Sequence, residues 1–377
     1  MIRTLAAAFA LATTTIAAAQ APPATAPAAR PPVATLPTTP AASKWPVAEA
    51  DYAIPNFRFG SGETLPKLNQ HYRTLGTPRR DAAGNVVNAV MVLHGTGGTG
   101  AQFLRPQFAD ALYGPGQPLD ITRYFIILPD AIGHGGSTKP SDGLRMTFPK
   151  YDYDDMVDAQ YRLLTEHLKV KQLRLLMGTS MGCMMDFVHG TRHPDAARAI
   201  MPTACQTVEL AGRNRLWRQM TIDAIKADPL WQGGNYTSPP LGGLRTAAVL
   251  GVIAGSAPVR MQADWPTREK AEAALKGIVE RAMAETDAND TIYRLDASRN
   301  YNPSPLLGRI TVPVTWINSA DDFINPPGLA LPEREVKKMP NARFVLIPET
   351  AETRGHSTHT WAQFWTAELV DLLKRTE

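Results

Sequence analysis

Gly178-Thr179-Ser180-Met181-Gly182 forms a G-x-S-x-G motif between an apolar run, Leu173 to Met177, and a helix-compatible stretch, Cys183 to Gly190. Glycines flanking the serine permit a sharp strand-to-helix turn that lifts its hydroxyl clear of a sheet edge. A serine hydroxyl is a weak nucleophile and needs a neighbouring base, itself oriented by a carboxylate. In sites built on such an elbow, the acid and then the histidine follow the serine along the chain. Of eight histidines (His71, His94, His134, His167, His189, His193, His356 and His359), the last two alone follow the final apolar run. His356 is favoured as the base, because Arg354-Gly355-His356 comes directly after Phe344 to Pro348 and Gly355 eases a turn toward the serine. His359 falls toward a helix carrying Trp361 and Phe364 and reads as a supporting residue.

The orienting acid belongs just past the preceding apolar run, Val312 to Ile317, where Asn318-Ser319-Ala320-Asp321-Asp322 stands. Asp322 is chosen because it opens a D-x-x-x-P spacing to Pro326, and Asp321 reads as a solvated loop charge. Attack on an acyl carbonyl also needs donors for the developing oxyanion, commonly backbone N–H groups already in place. The Met181 N–H is the first candidate. The second comes from His94-Gly95-Thr96-Gly97-Gly98, after the run Ala89 to Leu93, with the Thr96 N–H chosen and Gly97 as its alternative. His94 itself reads as a loop brace. A phosphate-binding loop is excluded by the lack of a Gly-Lys-Ser/Thr ending. Asp130 to Ser137 closes another strand and receives no catalytic role. Chemistry of this kind requires no cofactor and no metal, and neither cysteine lies in a Cys/His cluster of metal-ligand spacing.

These residues need a scaffold. The runs Ala89 to Leu93, Tyr124 to Leu128, Leu173 to Met177, Ile200 to Thr203, Val312 to Ile317 and Phe344 to Ile347 are strand-sized and continuously apolar, as buried parallel strands are. Between them, Tyr151 to Val170 carries Val157, Tyr161, Leu164 and Leu168 at helical spacing. Strands alternating with helices predict an α/β fold with a parallel sheet. From Gln206 to about Pro305 no strand stands out, while Arg215 to Ala227 and Arg268 to Glu285 are helix-like, so residues 207–305 read as a helical lid inserted into a core of residues 45–206 and 306–377.

The 377 residues, 44% hydrophobic and 20% charged, suffice for a large core, and a net charge of +4 without a Lys/Arg run argues against a nucleic-acid partner. Residues 1–19 read as a signal peptide, with Arg3, the small apolar run Thr4 to Ala19 and Ala17-Ala18-Ala19 at a cleavage site. Residues 20–44, dense in Ala, Pro and Thr, read as a disordered tether. No stable membrane span is expected after cleavage. Cys183 and Cys205 lie in apolar contexts and are expected as buried small hydrophobes rather than as a bridge.

With these residues placed, the chain resembles the homoserine O-acetyltransferase-like branch of the α/β-hydrolase superfamily, from about Phe57 to Leu373. The resemblance runs through Ser61-Gly62-Glu63-Thr64-Leu65-Pro66, Tyr72-Arg73-Thr74, Phe148-Pro149, the elbow, and Ala224-Ile225-Lys226-Ala227-Asp228-Pro229 with Trp231, Gly233-Gly234 and Tyr236. It implies the α/β-hydrolase fold, a triad of Ser180, Asp322 and His356, and a homodimer through the lid helices. Two departures stand out. Transferases of that branch usually carry an arginine for the homoserine carboxylate where this chain has Ile222, and an aspartate after the Gly-His where it has Ser357. Losing a cationic clamp removes charge-assisted hydrogen bonds. Together with the export signal, these departures lead to the expectation of a periplasmic or secreted serine hydrolase that cleaves a carboxylic ester, or an amide or thioester, on a small-molecule acyl substrate. The alternatives are an O-acyltransferase acting on another alcohol acceptor and a non-catalytic binding protein on the same scaffold.

Overall fold

The computed structural model describes residues 44–377; the expected signal peptide and all of the expected tether except Lys44 lie outside the described residues. Eight strands form one sheet: β1 (Ala48–Arg58), β2 (Thr64–Leu75), β3 (Ala89–Leu93), β4 (Phe125–Pro129), β5 (Leu175–Thr179), β6 (Ile200–Thr203), β7 (Val314–Ser319) and β8 (Ala342–Ile347), in the order β1-β2-β4-β3-β5-β6-β7-β8. β1 and β2 form an antiparallel hairpin whose second strand also pairs antiparallel with β4, and every other pairing is parallel. This is the mostly parallel α/β-hydrolase architecture expected from the alternating runs.

Helices cover both faces. Along β3 the residues Met91 and Leu93 pack into one core and Val90 and Val92 into the other, because successive side chains of a strand point to opposite sides. On the first face lie α2 (Tyr153–Arg162) and α3 (Met181–Arg192); on the second lie α1 (Pro106–Leu112) and the C-terminal helix Thr366–Arg375. The helix expected over Tyr151 to Val170 starts at an Asp152 cap, which accepts the Asp155 N–H at 3.0 Å, and loosens into a wider turn at Leu163–Leu168.

Between β6 and β7 the chain adds α4 (Gly212–Ala227), α5 (Leu241–Ala254), α6 (Pro258–Asp264), α7 (Arg268–Glu285) and α8 (Ala288–Asp296). These helices share a small core of their own around Ile222, Ile225, Leu244, Ile292 and Leu295. Among the described residues no single helix is long and apolar enough to cross a membrane; α5 and α6 reach that length only as a pair bent by 107°.

Strand register decides where the chemistry falls. Thr179 pairs with Thr203, Thr203 with Ile317, and Ser319 with Ile347. The last residues of β5, β6, β7 and β8 therefore end at one sheet edge, and the loops that follow carry Ser180, Cys205, Asp322 and His356.

Candidate active site

Ser180 holds a backbone that L side chains rarely adopt, with φ of 56° and ψ of −111°. Such strain persists where the surroundings over-determine it. Its N–H donates to the Thr203 carbonyl at 2.9 Å, which anchors the elbow to β6. A Cβ on Gly178 would lie 2.3 Å from the Gly182 carbonyl carbon, and one on Gly182 would lie 2.0 Å from the Leu93 carbonyl oxygen. Both glycines of the motif are thus required by close backbone approach.

The structure brings Ser180, His356 and Asp322 into one hydrogen-bonded chain. His356 Nε2 lies 2.8 Å from Ser180 Oγ, and His356 Nδ1 lies 2.8 Å from Asp322 Oδ2. Because the carboxylate can only accept, it holds the imidazole as the Nδ1–H tautomer and leaves the Nε2 lone pair for the serine proton. Asp322 is buried, and it also accepts the Ile324 and Asn325 N–H groups at 2.7 and 3.1 Å and the Asn325 amide at 3.0 Å. Burial alone would raise its pKa, but the nearby His356 and the hydrogen bonds from His356 and Asn325 hold the carboxyl below its ordinary value.

The two competing residues take other tasks. Asp321, expected as a solvated loop charge, instead accepts the Gly355 N–H at 2.7 Å and the Ser319 hydroxyl, bracing the loop that carries His356. The ends of β7 and β8 lie side by side, so the loop beyond β8 folds over Asp321 and partly removes it from open solvent. His359 lies in a short 3-10 turn, Gly355–Thr360, and its Nδ1 bonds the His356 carbonyl. Burial and then the His356 charge push its pKa down to about 3, so it stays neutral and outside the proton path.

A further correction concerns the cysteines, which are bridged: the Cα atoms of Cys183 and Cys205 lie 5.9 Å apart, within disulfide range. Sequence spacing carries no such distance. The parallel pairing of β5 with β6 sets residue 205 beside the first turn of α3. Cys205 is fixed further by Asn318, which accepts its N–H at 3.1 Å and donates to its carbonyl at 3.0 Å.

His94 is buried, with Nδ1 2.8 Å from the Gly95 carbonyl and Nε2 accepting the Ala131 N–H at 2.9 Å. Gly95 O also accepts the Gly98 N–H at 2.9 Å. A trans peptide points its N–H away from its carbonyl, so these two bonds direct the Thr96 N–H to the opposite side. No acceptor among the described residues engages the N–H of Thr96 or of Met181, the first residue of α3. Asp130 plays a structural part, binding Arg73 and the Gly100 and Gly136 N–H groups.

Above Thr96 and Gly97 opens a cavity of about 390 Å³, walled by α4, α5, α7 and α8 through residues such as Trp217, Leu244, Val252, Ile278 and Leu295. Its walls are mainly apolar. Gly355 ties the histidine loop to the lid: it holds φ of +56°, and a Cβ there would lie 2.5 Å from the Ser256 carbonyl between α5 and α6.

The family model for the alpha/beta hydrolase fold matches residues 88–237. Homoserine O-acetyltransferase of Pelobacter propionicus is 31% identical over 311 residues, 72% of this chain and 81% of that protein. Homoserine O-acetyltransferase of Solidesulfovibrio magneticus is 37% identical over 227 residues, 55% of this chain, a match that spans about half of its length (54%). Among solved structures, an acetylester hydrolase from Corynebacterium glutamicum superposes with a TM-score of 0.76 at 22% identity, over 87% of this chain and 96% of that one. Homoserine O-acetyltransferase from Bacillus anthracis has a TM-score of 0.76 at 19% identity, over 88% and 98%. At these identities the two structures establish the fold.

The relatives correct two expectations. Their names are those of acyltransferases, which overturns the reading as an exported ester-cleaving hydrolase and favours its acyltransferase alternative. The periplasmic or secreted location falls with it, since the relatives are named homoserine O-acetyltransferases and not exported hydrolases, and preference for water as acceptor rested on export. The chain belongs to the homoserine O-acetyltransferase-like branch of the α/β-hydrolase superfamily.

Proposed function

We propose that the protein is an O-acyltransferase that works through an acyl-Ser180 intermediate and passes the acyl group to an alcohol. The observation that carries this reading is the Ser180–His356–Asp322 hydrogen-bonded chain, in a member of this branch, with Ser180 packed against Gly95 of the loop whose next residues, Thr96 and Gly97, line the lidded cavity. His356 takes the Ser180 proton as Oγ attacks the carbonyl of the acyl donor. The N–H groups of Met181 and Thr96 receive the oxyanion, and His356 returns the proton to the departing group. An alcohol then gives its proton to His356 and attacks the acyl-serine, releasing the new ester and Ser180. Asp322 stabilises the imidazolium in both halves.

The acceptor differs from homoserine. Ile222, where related transferases usually carry an arginine, is 3% exposed in the core of the lid, and Ser357 follows His356 in place of an aspartate.

Supplying acyl thioesters together with a panel of alcohols tests the reading. Wild type is expected to form ester and to show a Ser180-acyl adduct by intact mass, and Ser180→Ala to form neither. Wild-type turnover that never exceeds simple hydrolysis across the panel would overturn it.

A further inference from the structure

The cavity over Thr96 and Gly97 has one charged residue among the described residues that line it, Arg294 of α8. An arginine in an apolar wall is costly unless something answers its charge. Arg294 is half-buried, and its Nη2 donates to Thr291 Oγ1 at 2.8 Å. Among the described residues no carboxylate comes within ion-pair distance of its guanidinium. Asp290, one helical turn before Arg294 on α8, gives its two oxygens to the Ser141 N–H and hydroxyl at 2.9 and 2.7 Å. With that one bond to Thr291, four of the five guanidinium N–H donors have no acceptor among the described residues.

Trp217 stands in the wall of the same cavity, its indole Nε1 buried without a hydrogen-bond acceptor among the described residues. The positive charge also reaches the floor of the cavity: burial first, then the His94 charge and Arg294, lower the pKa of His134, whose Nε2 lies 2.9 Å from the Thr96 carbonyl.

We propose that Arg294 is the specificity-determining cation of this site and holds a carboxylate on an otherwise apolar substrate that lacks an ammonium group. The inference rests on the acyl-transfer reading for its place in a reaction, and it narrows the substrate class. A lone guanidinium with no lining carboxylate complements a mono-anion, whereas a zwitterionic amino acid would bring an ammonium group with no counter-ion. The carboxylate belongs either to the alcohol, as in a hydroxy acid, or to the acyl group, as in a half-thioester of a dicarboxylic acid.

Binding is measured first, without turnover, by calorimetry with hexanoate, hexanamide and 6-aminohexanoate against wild type, Arg294→Gln and Arg294→Lys. Hexanoate is expected to bind wild type at least tenfold more tightly than either of the others. That advantage should vanish in Arg294→Gln and return in part in Arg294→Lys. Equal binding of the three probes to wild type, or an advantage that survives in Arg294→Gln, would overturn the proposal. Transfer assays then separate the sources. A hydroxy acid favoured over its amide, with an acetyl thioester as donor, places the carboxylate on the acceptor; a succinyl thioester favoured over acetyl, with a neutral alcohol, places it on the acyl group. Preference on neither side overturns the proposal. Labelling of wild-type Ser180 by a fluorophosphonate reports on the acyl-transfer reading separately, so that the two can fail independently.

Discussion

Asp321 and Gly355 are joined by a 2.7 Å hydrogen bond from the glycine N–H to the aspartate carboxylate, one residue from the point where Asp322 binds the His356 ring. Adjacent aspartates thus divide one task. Asp322 sets the tautomer and orientation of the imidazole, and Asp321 holds the backbone that delivers it. Because Gly355 also lies against the Ser256 carbonyl, the histidine loop is fixed from β7 on one side and from the lid on the other.

Replacing Asp321 by Ala should loosen this loop without removing any reacting group. We expect kcat to fall roughly tenfold with KM little changed, since a small misplacement of a catalytic group costs on the order of 10–100-fold. Asp322→Asn should be far more severe, with kcat lower by about 10⁴, because the imidazole loses its oriented tautomer. Steady-state kinetics on the two variants distinguishes the roles; equal losses would contradict the division described above.

The Cys183–Cys205 bridge closes a loop of sequence separation 22. Chain-entropy estimates for a loop of that size give about 3 kcal/mol of stabilisation. Denaturant titration of the Cys183→Ala/Cys205→Ala protein, and of wild type with and without reductant, should show a loss of that order. A midpoint that reductant does not move would count against a stabilising bridge.

Asp290 joins the lid to the core through Ser141, and burial followed by the Asp287 charge raises its pKa to about 6. Its folded pKa lies above the unfolded value, so its contribution is full at pH below about 4 and declines as pH rises toward 6. Asp290→Asn keeps a hydrogen-bonding side chain without the charge. We expect it to stabilise the protein at pH 7 by on the order of 1–3 kcal/mol and to have little effect at pH 4. Unfolding midpoints of both proteins at the two pH values check this; an equal offset at both would rule out the charge as its cause.

The core strands and the elbow were legible because their signals are local. Ala89–Leu93 and Ile200–Thr203 are continuous apolar runs with the bounds of β3 and β6, and the two glycines around Ser180 announce a turn that needs them. Chain order narrowed the partners of Ser180 to two aspartates and two histidines. Local signals, the D-x-x-x-P spacing and Gly355, favoured Asp322 and His356, but the tasks of Asp321 and His359 required the folded sheet edge. Adjacent residues such as Asp321 and Asp322 share composition and exposure to the same strand end, and the crossing of the His356 loop alone assigns one to a backbone N–H and the other to a ring. The same holds for the bridge between Cys183 and Cys205, which follows from the β5–β6 pairing, and for Arg294, whose isolation in an apolar wall depends on how four lid helices pack. Spacing along a chain encodes periodicity and turns; distances between loops are set by register and by the packing of an inserted lid, and these exist only once the chain has folded.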